Sequence, residues 1–220
     1  LPQGIQMARM TDQPRSVKSS VDEFVKVLIE AIVIVLAAGR GERFRASGGH
    51  TDKLNSLLAG RRVRDHVLDA VRASGLAWHI VEREDTAHLA SPGMGDSIAC
   101  GVRATPHAAG WLILPADLPL IEAATLRAVA LSLRQGPSQG VVVPHYKGER
   151  GHPVGFSAGC GLELMALTGD EGARKVMQAH APFALAVEDP GCVLDVDTVE
   201  RLAQAEALFH SRLRGRGESQ

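Results

Sequence analysis

A loop of small residues follows the first apolar run of the chain and has the composition of a phosphate-binding loop. The run covers residues 33–36 and leads into Ala37, Ala38, Gly39, Arg40 and Gly41. Small side chains let the backbone approach a ligand closely, and successive N–H groups in such a turn can bind an anion. The cations nearby are Arg40, Arg43, Arg45 and Lys53. Each charge-assisted contact to a triphosphate would contribute about 1.5 to 3 kcal/mol. The alternative is an ordinary glycine turn with solvated arginines.

Two familiar nucleotide-binding motifs do not fit this loop. In a dinucleotide-binding fingerprint, the position of Phe44 would be a third glycine that allows close packing of the following helix. A Walker loop is excluded because no Gly-Lys-Ser or Gly-Lys-Thr follows Gly41. The loop therefore predicts a phosphate site of another kind.

Carboxylates follow two further apolar runs and are candidates for binding a divalent cation. Asp117 comes just after the run at residues 111–114. Asp195 and Asp197 are two residues apart, so they lie on one side of the chain if that segment is extended. The three side chains offer the oxygen ligands that a hard cation prefers. The alternatives are a solvated or capping role for Asp117 and a capping box of Asp197 with Glu200.

The hydrophobic pattern from Ala31 onward predicts repeated βα units and a mostly parallel sheet. Predicted strands cover residues 31–36, 78–81, 111–114, 141–143, 152–156, 185–187 and 193–196. Predicted helices include residues 63–71, a helix that begins near Asp96 or Ser97, residues 126–133 before a stop at Gly136, residues 173–180, and a helix that begins near Thr198. Ligands of an open α/β sheet bind outside the carboxyl ends of its strands. The loop and the carboxylates all follow strands, so we expect them at one edge.

Bulk composition favours one domain in a reducing compartment. The chain has 220 residues, 45% of them hydrophobic, which is enough for one core. The 24 basic and 25 acidic residues nearly cancel, so no overall field attracts nucleic acid or an anionic membrane. The cysteines lack CxxC spacing, which argues against structural zinc or a disulfide framework. Glu30 interrupts the apolar run at residues 27–38, which argues against a signal peptide. We expect a cytoplasmic protein with an N-terminal extension at 1–30, one domain at 31–213 and a tail at 214–220.

Taken together, the motifs resemble those of the MobA-like nucleotidyltransferases, particularly the molybdenum cofactor cytidylyltransferases. The similarity covers residues 33 to 205 and lies in six segments: Leu36 to Arg43 with a later Lys53, Gly93-Met94-Gly95-Asp96-Ser97, Asp117-Leu118-Pro119, Arg150-Gly151-His152-Pro153, Gly169-Asp170-Glu171-Gly172-Ala173 and Asp195-Val196-Asp197-Thr198. The fourth and fifth segments discriminate best and point to the cytidylyltransferase branch. The resemblance implies a three-layer Rossmann-like α/β fold, with helices on both faces of the sheet.

The resemblance also implies a role for each matching residue. Nucleotide binding is expected from Leu36, Ala37, Ala38, Gly39, Arg40, Gly41, Lys53 and Ser97. Catalysis is expected from Arg43, Lys53 and Asp117, and magnesium binding from Asp117, Asp197 and Asp195. The acceptor is expected to contact Arg150, Gly151, His152 and Asp170. Simpler alternatives remain for two of them: Ser97 or Asp96 as the N-cap of a helix, and His152 as a residue at the start of a strand.

The implied reaction is transfer of CMP from CTP to the phosphate of molybdopterin or molybdenum cofactor, with release of pyrophosphate. Family members that use GTP usually carry Leu-Ala-Gly-Gly, whereas Ala38 matches the cytidine pattern, so GMP transfer is less favoured. The implied partners are the nucleotide, a molybdopterin-type acceptor, and a molybdenum hydroxylase or its maturation chaperone. The alternatives are a cytidylyltransferase for a sugar or isoprenoid precursor and a non-catalytic carrier of nucleotide or cofactor.

This sequence departs from the family pattern near the first loop. Phe44 replaces a usual methionine, and the stretch from Arg45 to Asp52 is longer than in the family. It is therefore open whether Lys53 or Arg45 is the cation that reaches the phosphates. Val199 also replaces the proline that follows the Asp-x-Asp-Thr pattern in the family.

Overall fold

The computed structural model describes residues 31–135 and 140–217, and its centre is a seven-stranded mixed sheet. The strands of this sheet are β1 (Ala31–Leu36), β4 (Trp78–Val81), β5 (Gly110–Pro115), β6 (Val141–Tyr146), β7 (Glu149–Arg150), β8 (Val154–Ser157) and β9 (Phe183–Ala186). Strands β2 (Leu57–Leu58) and β3 (Arg61–Arg62) form a separate antiparallel pair. The helices are α1 (Glu42–Ala46), α2 (Val63–Ser74), α3 (Met94–Ala104), α4 (Ala123–Arg134), α5 (Gly161–Met165), α6 (Arg174–Ala179) and α7 (Val199–Gly217).

Most strands of the sheet run in the same direction. The order is β4-β1-β5-β8-β6-β7, and β9 also pairs with β6. Strand β1 is parallel to β4 and β5, and β6 is parallel to β9. Strand β8 is antiparallel to both β5 and β6, so β5 and β6 point the same way. The predicted mostly parallel sheet is confirmed, and the carboxyl ends of β4, β1, β5, β6 and β9 lie at one edge.

Helices cover both faces of the sheet, as the three-layer prediction requires. Alternate residues of β1 point to opposite faces. Val33 packs in a cluster with Val67 of α2 and Leu126 of α4. Ile34 packs on the other face in a cluster that includes Ile98 of α3 and Leu164 of α5. The two apolar layers hold the sheet rigidly and leave the loops at its carboxyl edge to form a site.

The predicted strand at 193–196 is wrong, because that segment crosses the end of β5 instead of joining the sheet. The N–H of Val196 donates to the carbonyl of Asp117 at 2.8 Å, and the N–H of Val193 bonds the carbonyl of Pro190 at 3.4 Å. Leu194 and Val196 are buried, which explains the alternating pattern that resembled a strand. The same crossing brings Asp197 close to the exit of β5.

Several predicted boundaries shift. Helix α3 begins at Met94 instead of near Asp96 or Ser97, β8 begins at Val154 instead of His152, and α7 continues to Gly217, past the expected domain end. The predicted extension at 1–30 and the stop at Gly136 lie outside the described residues. None of the helices within residues 31–135 and 140–217 combines the length and apolar character needed to cross a bilayer.

Candidate active site

A cleft of about 720 Å³ opens at the carboxyl edge of the sheet. It lies where the exits of β1 and β5 meet the 193–197 segment. The predicted site residues that line it are Leu36, Ala38, Gly39, Arg40, Gly41, Arg43, Lys53, Ser97, Asp117, Arg150, His152, Asp170, Asp195 and Asp197. Residues from six separate segments of the chain therefore meet in one cavity.

The glycine loop forms one wall of the cleft. Ala37 lies behind this wall, where it is buried and donates its N–H to the carbonyl of Val81 at 2.8 Å. Gly41 has a φ of +64°, in the left-handed region that favours glycine, and it is the N-cap residue that precedes α1. Among the described residues, none accepts a hydrogen bond from the N–H of Gly39, Arg40 or Gly41. These N–H groups are therefore available to an anion.

Lys53 reaches the cleft despite the long stretch that precedes it. Gly49 allows this stretch to fold against Phe44, since a Cβ on Gly49 would lie 2.3 Å from the Phe44 ring. Asp52 then begins a 3₁₀ turn at Lys53–Asn55, with its side chain accepting from the N–H of Leu54 at 3.0 Å. Lys53 lines the cleft, whereas Arg45 is exposed on α1. Of the two cations that the sequence leaves open, Lys53 is therefore the one that lies in the cleft.

Lys53 lies between two carboxylates from distant parts of the chain. Its Nζ is 2.5 Å from Asp117 Oδ2 and 2.7 Å from Asp197 Oδ1. Asp197 Oδ2 also pairs with Arg43 Nη1 at 2.6 Å. Asp117 is held by β5, which it follows, and by the bond from Val196 to its carbonyl. The second carboxylate oxygen of Asp117, Oδ1, is buried and has no hydrogen-bond partner among the described residues.

The charges of this group favour its ionised state. Burial alone would lower the pKa of Lys53, but Asp117 and then Asp197 outweigh it and raise the pKa. Burial alone would raise the pKa of Asp197, but Lys53 and the charge of Arg43 outweigh it and hold the pKa below its ordinary value. The ammonium form of Lys53 and the carboxylate form of Asp197 are therefore both favoured near neutral pH.

Asp195 lies beside Asp197, and the interaction of the two side chains also helps to lower the pKa of Asp197. The Oδ1 of Asp195 is 2.9 Å from Arg201 Nη2, and the residue lines the cleft. Within residues 31–135 and 140–217, no three His, Cys, Asp or Glu side chains are grouped closely enough to hold a metal ion. Magnesium is commonly bound through one or two carboxylates with substrate phosphates and water completing its shell. The free Oδ1 of Asp117, next to Asp197, fits that smaller ligand set.

Ser97 lies in the first turns of α3, where Asp96 binds two backbone groups. The expected N-cap role of either residue is wrong, because Gly93 is the N-cap and Asp96 accepts from its N–H at 2.8 Å. Asp96 Oδ2 also accepts from the N–H of Gly169 at 2.9 Å. The Ser97 hydroxyl donates to the carbonyl of Gly93 at 3.1 Å, and the residue lines the cleft. Asp96 therefore connects the segment at 93–97 to the segment at 169–173.

Three of the predicted acceptor residues, Arg150, His152 and Asp170, line the cleft, and Gly151 lies behind its surface. Gly151 is buried against Cys192, whose Sγ would be 2.6 Å from an added Cβ. His152 follows, with its N–H donating to the carbonyl of Cys192 at 2.8 Å. Burial lowers the pKa of His152, against opposing effects from Asp117 and Asp195, so the neutral imidazole is favoured. Its Nδ1 has no partner in the described part of the chain.

Sequence reasoning missed Arg83, which lies two residues after β4. Its Nη2 donates to the carbonyl of Gly39 at 2.7 Å and also pairs with Asp52. The rule that ligands bind at strand exits identifies the end of β4 as readily as the ends of β1 and β5. Applied to every predicted strand, it would have singled out the residues just after Val81.

Comparison with known proteins gives the site a family context. The profile of the MobA-like NTP transferase domain matches residues 33–183. Purine catabolism protein PucB of Bacillus subtilis is 30% identical over 194 residues, which cover 77% of this chain and 92% of PucB. Bifunctional protein GlmU of Mycolicibacterium smegmatis is 33% identical over 138 residues, 52% of this chain but only 28% of GlmU.

Solved structures show the same architecture. Rv0371c from Mycobacterium tuberculosis H37Rv is 27% identical with a TM-score of 0.66, over 81% of this chain and 98% of that chain. A complex of Rv0371c with manganese is 26% identical over the same shares of the two chains, with a TM-score of 0.61. One of these similar structures therefore contains manganese.

Proposed function

This chain belongs to the MobA-like NTP transferase family and is a nucleotidyltransferase, and from this premise we propose that it transfers CMP from CTP to the phosphate of a molybdopterin-type acceptor, releasing pyrophosphate. The observation that carries the proposal is the position of Lys53. Its ammonium lies between Asp117 and Asp197, and its Cγ is 3.5 Å from where a Cβ on Gly41 would be. The Lys53 ammonium, two carboxylates and N–H groups without protein partners among the described residues thus lie close together in the cleft.

The proposed reaction is attack by an acceptor phosphate oxygen on the α-phosphorus of the nucleotide. The bond from this phosphorus to the bridging oxygen breaks, and pyrophosphate leaves with the electron pair. The protein needs no covalent intermediate, because positioning and charge neutralisation account for most of the catalysis of phosphoryl transfer. Its contribution is to hold the two substrates in line and stabilise the charge that develops.

The N–H groups of residues 39–41 would bind the β- and γ-phosphates. Lys53 and Arg43 would neutralise the charge that grows on the leaving pyrophosphate. Both cations pair with Asp197, so a bound triphosphate would compete with that carboxylate for them. The expected consequence is that nucleotide binding frees the carboxylate oxygens of Asp197 from Arg43 and Lys53.

Asp117 and Asp197 are the residues that would hold Mg²⁺, and Asp195, paired with Arg201, is left outside this pair. When bound there, the cation supplies further neutralisation of phosphate charge. The buried, unpartnered Oδ1 of Asp117 supports this assignment. Two carboxylates give a weak site by themselves, which fits a cation that arrives with the nucleotide.

On the acceptor side, Arg150 would bind the phosphate of the acceptor, and His152 in its neutral form would donate or accept a hydrogen bond. Asp170, which lies beside Gly93, would contact polar groups of the acceptor. The proposal includes a cytoplasmic location and a molybdenum hydroxylase or its maturation chaperone as the recipient of the product.

The test is a pyrophosphate-release assay with CTP or GTP, Mg²⁺ or Mn²⁺, and a panel of acceptors: metal-free molybdopterin, molybdenum cofactor, a sugar phosphate and an isoprenoid-precursor phosphate. The expected result is the fastest release with CTP and a molybdopterin-type acceptor. A GTP rate about tenfold above the CTP rate, a difference of about 1.4 kcal/mol, would contradict the choice of base. Faster turnover of another acceptor would identify a different cytidylyltransferase, and nucleotide binding without release would identify a carrier.

A further inference from the structure

Arg83 connects two parts of the nucleotide side that come from different segments of the chain. Its Nη2 donates to the carbonyl of Gly39 at 2.7 Å and forms an ion pair with Asp52 Oδ2. Gly39 belongs to the glycine loop, and Asp52 begins the turn that carries Lys53. We propose that Arg83 is a positioning residue that holds the glycine loop and Lys53 in the relative arrangement required by a triphosphate. This inference rests on the proposed function, since it assumes that phosphates occupy the loop.

The bond to Gly39 determines how one peptide group of the loop is oriented. In a trans peptide the carbonyl and the following N–H point in opposite directions. Because the carbonyl of Gly39 is turned to Arg83, the N–H of Arg40 faces away from Arg83. Gly39 and Arg40 line the cleft, and a Cβ on Gly39 would have open space around it. Arg83 therefore keeps this N–H available to a phosphate oxygen.

The bond to Asp52 determines where the turn of Lys53 begins. One carboxylate oxygen of Asp52 binds Arg83, and the other accepts from the N–H of Leu54 at 3.0 Å. The carbonyl of Asp52 accepts from the N–H of Asn55 at 2.9 Å. Asp52 is thus held by Arg83 on one side and by the backbone of the 3₁₀ turn on the other. From this turn the side chain of Lys53 extends toward Asp117.

The contacts of Arg83 with Gly39 and Asp52 are expected to contribute little to the overall stability of the fold. The side chains of Arg83 and Asp52 are 47% and 24% exposed, and ion pairs of this exposure contribute little to overall stability. The core clusters on both faces of the sheet do not include either residue. Loss of Arg83 should therefore leave the fold intact while the loop and the Lys53 turn move independently.

The decisive comparison is between a triphosphate and a monophosphate ligand. Calorimetric titration with CTP and with CMP, both with Mg²⁺, should show that Arg83→Met weakens CTP binding about tenfold, because the N–H of Arg40 and the Lys53 ammonium are no longer held in place for the β- and γ-phosphates. CMP lacks these phosphates, so its binding should be nearly unchanged. Arg72→Met is the matched control, because Arg72 is similarly exposed and pairs with Asp69 on α2. The control should bind both ligands as the wild type does.

A second variant separates positioning from simple attraction by charge. Asp52→Asn leaves Arg83 its charge but replaces two acceptor oxygens with one. If Arg83 acts by positioning, this variant also loses affinity for CTP, and the double variant with Arg83→Met is no weaker than Arg83→Met alone. If Arg83 acts only as a positive charge near the phosphates, removing the negative charge of Asp52 strengthens CTP binding, and the proposal is wrong.

The outcomes distinguish this inference from the proposed function. A wild-type protein that binds CTP no more tightly than CMP would contradict the proposed function, and the positioning role with it. A wild-type protein that prefers CTP, together with an Arg83→Met variant that keeps the same preference, would contradict the positioning role alone. Thermal unfolding of each variant, expected within a few degrees of wild type for such a small change, verifies that the fold is retained.

Discussion

The two sides of the cleft differ in how completely their charged side chains are paired. On the nucleotide side, Lys53, Asp117, Asp197 and Arg43 form one connected group of ion pairs. On the acceptor side, Arg150 and Asp170 are exposed, and neither forms an ion pair or hydrogen bond within the described part of the chain.

This difference suggests a division of labour. Groups that stabilise a transition state must be held in place before the substrate arrives, since reorganisation during the reaction is costly. Groups that select a ligand can take their partner from the ligand itself. We therefore expect substitutions on the nucleotide side to lower kcat most, and substitutions on the acceptor side to raise the KM of the acceptor.

The largest effect is expected from Asp117→Asn. This change removes a carboxylate charge next to Lys53 at the point where the cation and the phosphates would meet, so kcat should fall about a thousandfold. Pyrophosphate release under saturating CTP and acceptor measures it. The control is Asp69→Asn, which removes an exposed ion-paired carboxylate on α2 and should keep full activity. A kcat for Asp117→Asn within tenfold of wild type would refute the assignment.

Lys53→Met should follow, with kcat lowered about a hundredfold, as is typical for loss of one group that stabilises developing charge. Arg45→Met serves as the comparison, because Arg45 is exposed and lies on the same short helix as Arg43. We expect this variant to stay close to wild type in the same assay. The reverse order, with Arg45→Met more damaging, would transfer the role to Arg45.

How much of the fold and of the site can be predicted from the sequence depends on how far apart in the chain the contacting residues lie. The glycine loop, Asp117 and the βα pattern are visible because each is a local signal of residue type and period. The proximity of Lys53 to Asp117 and Asp197 is not visible in the sequence. The two aspartates are 64 and 144 positions away from Lys53, and only the order of the strands in the sheet brings the three side chains together.

The errors have equally specific causes. The segment Val193 to Val196 has the alternation of a strand because two of its side chains are buried, but its backbone bonds go to Asp117 and Pro190. The helix after Gly93 begins earlier than expected because Asp96 caps it from the third position of its first turn instead of preceding it. Hydrophobic periodicity indicates which side chains are buried, but it does not indicate which backbone groups a segment hydrogen-bonds.

Arg150→Ala tests the other side of the cleft. It should raise the KM of the acceptor about tenfold, because one charge-assisted contact is lost, and leave the KM of CTP within about twofold. Steady-state kinetics with each substrate varied in turn gives both constants. If both constants rise together, the acceptor side is not separate from the nucleotide side.

The smallest expected effect concerns acid stability. The pKa of Asp197 is held below its ordinary value of 3.8, so its ionised form stabilises the fold above that pH, and this contribution is lost as the pH falls below 3.8. Urea unfolding over this range should show a smaller loss for Asp197→Asn than for wild type. An identical pH dependence in the two proteins would mean that the ion pair with Lys53 contributes nothing to folding.

The central claim is most directly tested by following the α-phosphate of CTP. With α-labelled CTP, Mg²⁺ and molybdopterin, the label should move to the acceptor, with one pyrophosphate released for each label transferred. Lys53→Met should reduce both products equally. Release of phosphate instead of pyrophosphate, or pyrophosphate without labelled acceptor, would contradict nucleotidyl transfer to molybdopterin at this site.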